Sequence, residues 1–492
     1  MRTDDKRPEP CSPETALLAG WGRTSPTSAA LYKPRAPGEV EEINRSAGPR
    51  GIIGRGLGRS YGDAAQNAGG TVVDMTSAER ILDVNLAEAT ATVEAGVSLH
   101  KLMRTLVPLG LWPAVSPGTR YVTVGGAIGS DVHGKGHHRD GTFGSHVRSM
   151  DLYTPGFGRI TLSPDATPDE FWATTGGMGL TGIVERATIE LLRVETSSVR
   201  VDSQRTTDLD STMAVMAERD HLYRYSVAWI DCLARGASLG RSIVEFGEHA
   251  RLDDLPVRGR SRSNALRFEP ADSLPAPPWA PSGMLNRWSV AAFNELWYRK
   301  APARSAGHVV GASKFFHPLD MIDGWNRIYG RRGFLQYQFV LPYGEELVLR
   351  RVIERLVTAR AASFLAVLKR FGPANPAPLS FPSEGWTLAL DLPVSFGGLA
   401  GELDAIDEDI AKAGGRVYLA KDSRLRPELL EVMYPKLPEW REVRGRLDPK
   451  GVMQSDLMRR LPALRSGDRR GERRGDRPYG ARPENSTTTE EQ

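Results

Sequence analysis

Three short stretches of the chain concentrate residue types that handle anions, flat rings and protons. In GRGLGRSYGDAAQ, residues 54–66, Gly54, Gly56 and Gly58 follow the apolar strand GII and let the backbone turn tightly, so that several N–H groups converge on an anion. Arg55, Arg59, Ser60 and Tyr61 add donors, which favours a phosphate-bearing ligand; a diphosphate suits the arrangement. The spacing is not a dinucleotide fingerprint, because Arg59 stands where GxGxxG needs its third glycine, and no GK[ST] follows to make a Walker loop. Plain turns also use alternating glycines, so the motif alone is weak. VSPGTRYVTVGGAIGSDVHGKGHH, residues 115–138, holds the only clustered histidines, His133, His137 and His138. They do not make a zinc site, since no cysteine is near and no HExxH frame exists. His137 and His138 read as loop caps or solvent-facing side chains. His133 differs, because Gly125, Gly126, Gly129 and Ser130 beside it make a small-residue wall against which a flat ring can press. In YLAKDSR, residues 418–424, Lys421 follows an apolar strand directly. It is an ordinary charged strand end unless that strand runs into the same cavity.

These stretches need elements to hold them. Between 50 and 126, GIIGRG, TVVDM, ILDVN and ATVEAGV read as strands separated by glycine-rich turns, and LHKLMRTLVPLG, 99–110, as a short helix stopped by Gly110. VRSMDLYTP and GLTGIVERATIELLRV continue the strands, with DEFWATTGG a helical turn between them. This gives a mixed domain running to about 195. Beyond it lie RYSVAWID, a Pro/Gly/Ser-rich stretch at 252–284, and then strand, helix, strand, strand, helix, strand from GFLQYQFVLP to GRVYLAKD, which predicts an antiparallel sheet with helices on one face. Alternation puts Gln336 and Gln338 opposite Leu335, Tyr337 and Phe339, Lys369 with Leu365 and Val367, and Thr387, Ala389 and Asp391 together. That polar side is either a solvated face or the roof of a pocket.

At 492 residues, 40% of them hydrophobic, the chain divides into more than one domain. A net charge of +4 without a Lys/Arg stripe or recognition motif argues against nucleic acid as partner. Cys11 and Cys232 alone exclude a disulfide framework. The charged N-terminus lacks a secretory apolar region, and no run of 18 apolar residues occurs, so the expectation is a soluble protein made in the cytoplasm, with peripheral membrane contact left open. Residues 1–15 and 462–492 are expected to be disordered, being too poor in apolar residues to offset their ordering entropy.

GWGRT, RGLGRSYGDAAQNAGG, PGTRYVTVGGAIGSDVHGKGHH, FGSHVRSMDL, FWATTGGMGLTGI, ELWYRK, FFHPLDMIDGWNRIYG, FLQYQFVLP, FGPANPAPLSFP, YLAKDSR and DPKGVMQSDLMRRL together resemble one family over residues 19–462. It is the decaprenylphosphoryl-β-D-ribose 2′-oxidase family, within the vanillyl-alcohol-oxidase/PCMH-like FAD-binding oxidoreductases. The resemblance implies an α+β fold: an FAD-binding domain at 16–195 completed by 416–461, and a substrate domain, built on the antiparallel sheet, at 196–415. It implies non-covalent FAD held by Gly54, Arg55, Gly56, Leu57, Gly58, Arg59, Ser60, Tyr61, Gly62, Asp63 and Ala64, by Gly118, Thr123, Val124, Gly125 and Gly126, and by Ser130, Asp131, Val132 and His133. Ile183, Val184 and Tyr418 close around it, and the polar sheet face lies over the isoalloxazine ring.

The family reaction oxidises the 2′-hydroxyl of a polyprenylphosphoryl ribose to a 2′-keto sugar, which a separate nicotinamide-dependent reductase takes on toward the arabinose donor of cell-wall arabinan. Lys421 is then the residue at the reacting centre, as base or as electrostatic stabiliser. Gln336 and Gln338 orient the sugar or flavin edge, Lys369 and Tyr61 hold phosphate or sugar, and His133 places the substrate hydroxyl. No metal is implied. The lipid substrate implies work at the inner membrane surface, on a cytoplasmic or periplasmic face, with Leu266, Phe268, Leu274, Trp279, Leu285 and Trp288 as candidate edges of the entrance. Four positions depart from the mycobacterial-type pattern: Ala389 and Ser130 replace cysteines, Thr387 an asparagine and Phe316 a tyrosine. The alternative activity is an FAD-dependent alditol or aldonolactone oxidase.

Overall fold

The computed structural model describes residues 12–35, 38–256, 260–270, 274–275, 287–359, 363, 365–394 and 398–465. Ile52, Ile53, Val72 and Val73 are apolar on consecutive positions and fully buried, so their strands, Ile52–Arg55 and Thr71–Asp74, are covered on both faces and pair in parallel. With Thr27–Tyr32 and Glu14–Leu18 they form a four-stranded sheet. Glu14 and Thr15 pair with Leu31 and Ala30, so order begins inside the stretch expected to lack it; residues 1–11 lie outside the described residues.

A six-stranded antiparallel sheet follows, centred on Ile183–Arg193 between Thr90–Glu94 and Val147–Thr154. The helix expected at 99–110 runs Leu99–Leu106. Ser98 caps it by accepting the Lys101 N–H at 3.1 Å, and Gly110, at φ 76°, ends the tight turn after it, a backbone position that favours glycine.

The third sheet has eight antiparallel strands in the order Arg304–Gly311, Ser198–Thr206, Ser242–His249, Tyr225–Ile230, Ala366–Phe371, Gly385–Pro393, Phe334–Leu341 and Arg416–Val417. Its second half is the strand and helix succession read from the sequence. Its first half adds three strands with no clean apolar alternation. Helices Glu346–Thr358 and Leu399–Lys412 bury Leu349, Val352, Ile353, Leu403, Ile406 and Ile410 on one face. Tyr337 faces this side, and its hydroxyl donates to the buried Asp407 at 2.6 Å. Cross-strand partners share a face, so the register Gln336 with Asp391, Gln338 with Ala389, Val367 with Ala389 and Lys369 with Thr387 assembles one row on the opposite side.

The C-terminal segment ties this sheet to the first. Val417 and Arg416 pair with Phe339 and Val340, while Met453 bridges in parallel to Ile52. Buried Arg444 donates to the carbonyls of Leu180 (3.1 Å) and Met453 (2.9 Å) and pairs with Asp448. Leu464 is fully buried, so the chain is packed three residues into the stretch expected to be a tail; residues 466–492 lie outside the described residues.

Candidate active site

The glycine loop is set by close approach. A Cβ on Gly56 would stand 2.2 Å from Thr123 Oγ1, and one on Gly62 would stand 1.9 Å from the Asp422 carbonyl oxygen, so neither position accepts a side chain without displacing its neighbour. Thr123 in turn accepts the Gly126 N–H at 3.1 Å, which fixes the Gly125–Gly126 backbone beneath the loop. The Tyr61 N–H donates to Ala420 O at 2.9 Å, placing the loop's end against YLAKDSR. Among the described residues, the N–H groups of Leu57, Gly58, Arg59 and Ser60 have no protein acceptor. Four successive amides are thus left as donors for an anion.

The side chains around these amides divide by role. The Arg59 guanidinium lies 3.8 Å from the Trp21 ring centroid with its Nε buried and unpartnered, and burial lowers its pKa, with Asp320 opposing. Arg55 corrects the expectation: it donates to the carbonyls of Ala65 (2.9 Å) and Ala19 (2.8 Å), so it braces the loop and is not free to grip a ligand. Asp63 likewise pairs with Arg460, which also pairs with Asp422, each at 2.8 Å, and so holds the glycine loop to the lysine segment. Asp131 is buried and accepts from the Gly144 N–H, Asn375 and Ser380, a loop anchor. Ile183 and Val184 are buried core side chains, Ile183 packing 3.5 Å from where a Cβ on Gly54 would be. Open space surrounds the Cβ position of Gly118. The Tyr418 hydroxyl donates to Ser130 O at 2.7 Å, and its ring stacks on Phe381.

Lys421 enters the same space. Its Nζ lies 3.9 Å from the Tyr61 ring centroid. Burial lowers its pKa, Asp391 opposes that, and Lys369 adds to it. Asp391, fully buried, is pushed up by burial, while the Gln336 amide donating at 2.6 Å, Lys421 and the Tyr329 hydroxyl at 3.2 Å hold it down. Lys369 is lowered to about 8 by burial and by Lys135. His133 is enclosed by Phe371, Phe381 and Tyr418 and lies well below its usual pKa through burial, Lys369, His137 and Lys421. Its Nε2 meets Gln338 Nε2 at 2.9 Å, and its Nδ1 is buried without a partner. This direct contact corrects one expectation: a flat ring can border the His133–Gln338 pair but not pass between them. His137 takes the first of its two expected roles, capping a loop by accepting the Gly372 N–H at 3.2 Å on Nδ1. It is buried against Phe371, 4.4 Å between centroids, not turned to solvent. Phe316 is buried in an aromatic wall with Trp112 and Tyr225.

Two members escaped the sequence reading. Lys135 donates to Phe315 O at 2.6 Å and lies 4.0 Å from both the Phe315 ring centroid and Glu245. Its signal was a lysine two residues past His133 between glycines. Asp391 was placed on the polar row but given no role; the register that sets it opposite Gln336 is not legible from spacing.

Free amides in a row, a buried imidazole nitrogen without a partner, and the half-buried cations Arg59, Lys135, Lys369 and Lys421 fit a cofactor with a diphosphate and a ring that becomes anionic when reduced. FAD has both. The class so defined is an FAD-binding oxidoreductase of mixed α and β structure. Comparison with known proteins agrees. Residues 28–162 match the FAD binding domain family, and residues 403–461 match the D-arabinono-1,4-lactone oxidase family. Decaprenylphosphoryl-beta-D-ribose oxidase of Mycolicibacterium smegmatis is 45% identical over 456 residues, covering 92% of this chain and 98% of that protein. An uncharacterized Streptomyces coelicolor protein is 42% identical over 74% of this chain and its own full length. Cytokinin dehydrogenase 5 of Oryza sativa subsp. japonica is 33% identical over 37% of each chain. The chain belongs to the decaprenylphosphoryl-β-D-ribose oxidase family.

Proposed function

We propose that the protein oxidises the 2′-hydroxyl of decaprenylphosphoryl-β-D-ribose to the 2′-keto sugar, using FAD. The observation that carries this reading is Lys421 resting on Tyr61 of the glycine loop within the electrostatic reach of Asp391 on the polar sheet row, three elements converging on one place. Residues 16–195 with 416–461 form the flavin-binding part and 196–415 the substrate-binding part. The amides of Leu57–Ser60 would hold the diphosphate, and Thr123–Gly126, Ser130–His133 and Tyr418 would border the rest, without a covalent bond. FAD, when bound, supplies the two-electron sink for the hydride that leaves C2′.

Lys421 is the proton acceptor. Its lowered pKa makes the neutral amine accessible near neutrality, and that amine takes the hydroxyl proton as the C2′–O bond becomes a carbonyl. Asp391, facing it, then steadies the ammonium formed. Gln336, tied to Asp391, offers its amide to the sugar, and Gln338, whose N–H groups are held by His133 and Thr387, offers only its carbonyl oxygen. Lys369, on the same row, meets the phosphate. The keto sugar is then substrate for a nicotinamide-dependent reductase.

The prenyl chain requires a membrane surface, since exposing each CH₂ costs ~0.8 kcal/mol. Helix Arg287–Lys300 supports one: Trp288 and Leu296 are 70% and 69% exposed, and Phe293 and Trp297 stack beside them on the surface. Leu266 and Phe268, expected at the entrance, pack against the core instead, Phe268 onto Trp112; Trp279, Leu285 and the Leu274 side chain lie outside the described residues. No helix among the described residues is long and apolar enough to cross a membrane. The test is anaerobic mixing of the yellow protein with decaprenylphosphoryl-β-D-ribose: the visible flavin band bleaches. Bleaching by a free aldonolactone or alditol and not by the lipid-linked ribose would instead establish the alternative that the match at 403–461 favours.

A further inference from the structure

Thr387, which departs from the pattern the chain resembles, reaches His133 through one intermediate. Its hydroxyl carries a single proton and donates it to Phe339 O at 2.8 Å, so toward Gln338 it is an acceptor only. Gln338 meets that lone pair with Nε2 at 3.2 Å and, with the same nitrogen, reaches His133 Nε2 at 2.9 Å. The two N–H bonds of the amide are then both engaged. The reversed amide would set Gln338 Oε1 against the Thr387 lone pairs, acceptor against acceptor. With an N–H arriving at Nε2, the imidazole proton resides on Nδ1. The relay is held by its backbone: Gln338 O accepts the Tyr418 N–H at 3.0 Å, and Thr387 is paired on both sides, with Val340 and Lys369.

We infer that Thr387 and Gln338 lock His133 as the neutral Nδ1–H tautomer, which meets the bound ligand as a hydrogen-bond donor and takes no proton from it. Nδ1 is buried and no protein group accepts from it, which leaves its N–H to an acceptor brought by the ligand: a hydroxyl, carbonyl or ring-nitrogen lone pair. Lys369, Lys421 and His137 face the ring from the sheet, the C-terminal segment and its own loop, and all disfavour a second proton on it. His133 therefore does not compete with Lys421 for the substrate proton. Neither ring nitrogen keeps a free lone pair, in keeping with FAD that dissociates. Thr387 and Gln338 are positioning residues. The donor role of His133 rests on the reading of this cleft as the flavin and sugar site; the tautomer does not.

The experiment is long-range ¹H–¹⁵N correlation on the full chain labelled at histidine, with and without added FAD, the His133 signals being those lost in His133→Gln. Neutral His133 protonated on Nδ1 at neutral pH is expected. Thr387→Val, which keeps the shape and removes the acceptor, loses the single-tautomer signature, and Thr387→Ser restores it. Protonation on Nε2 or on both nitrogens in the unaltered protein overturns the proposal, as does an unchanged signature in folded Thr387→Val. The unaltered protein decides the matter even if Thr387→Val does not fold. A chain that never takes up FAD defeats the flavin reading and leaves the tautomer result standing.

Discussion

Lys421 Nζ lies 3.9 Å from the centroid of the Tyr61 ring, so the charge of the C-terminal segment rests on the last aromatic residue of the glycine loop. The backbone repeats the link, Tyr61 N–H to Ala420 O. Because that anchor is main chain, Lys421→Ala should keep the loop in place and retain FAD. Reduction of the flavin by substrate should fall by ~10²–10⁴, the usual contribution of a positioned proton acceptor. Single-turnover stopped-flow reads this, and an unchanged rate would remove Lys421 from the reacting centre.

The pH dependence follows from the same pair. A base must be deprotonated to act, so the single-turnover rate should rise with pH through the Lys421 pKa, lowered from 10.5 to about 7. Asp391 raises that pKa by favouring the ammonium. Asp391→Asn removes the carboxylate, lowers the Lys421 pKa further and moves the rising limb toward acid by ~1 unit. A limb that stays in place would separate Asp391 from Lys421.

How much of this was written in the sequence depends on the range of the interaction. Local signals were legible: the Gly110 stop, the alternation that put Gln336 and Gln338 on one side and Tyr337 on the other, and the tight glycine turn whose Gly56 leaves no room for a side chain. Arg55 and Arg59 look alike as donors in a string of letters. Only the fold shows that Arg55 ends on Ala19 and Ala65 while Arg59 lies on Trp21. The Lys421 environment needs residues 61, 369, 391 and 421 together, and no spacing rule relates them; resemblance supplied what periodicity did not. The strand Arg304–Gly311 went unread because it is an exposed edge with little apolar alternation.

Ala389 tests the strand register. It pairs with Gln338 on one side and Val367 on the other, which places it on the polar row. The pattern this chain resembles has a cysteine here, which the resemblance implies is the thiol that covalent nitro-aromatic inhibitors attack; Ala389 offers none. Ala389→Cys should gain a covalent adduct on turnover with such a compound, visible as added intact mass. No adduct in an active variant would place position 389 away from the substrate.

Arg444 and Asp448 form a buried i,i+4 pair at 3.2 Å within the C-terminal segment, from which Arg444 also reaches the Leu180 carbonyl of the core. Arg444→Met leaves Asp448 buried with its acceptor bonds from Val452 and Met453 N–H but without its cation. Losing one partner of such a pair costs ~3–5 kcal/mol. The midpoint of urea unfolding should fall accordingly, and a shift under ~1 kcal/mol would mean that water reaches Asp448.

The exposed apolar side chains of helix Arg287–Lys300 make the membrane reading measurable. Burying a Leu or a large aromatic side chain contributes ~1.5–3 kcal/mol, so Trp288→Ser with Leu296→Ser should weaken partition onto vesicles by ~10²-fold or more. Vesicles of phosphatidylethanolamine and phosphatidylglycerol, sedimented with the protein, give the number. These side chains lie on a surface helix and make no part of the lysine cluster, so turnover of a short-prenyl, water-soluble phosphoryl ribose should survive the change while turnover of the decaprenyl substrate in vesicles declines. Equal loss on both substrates would assign the helix to the active site, and equal retention would take it off the membrane.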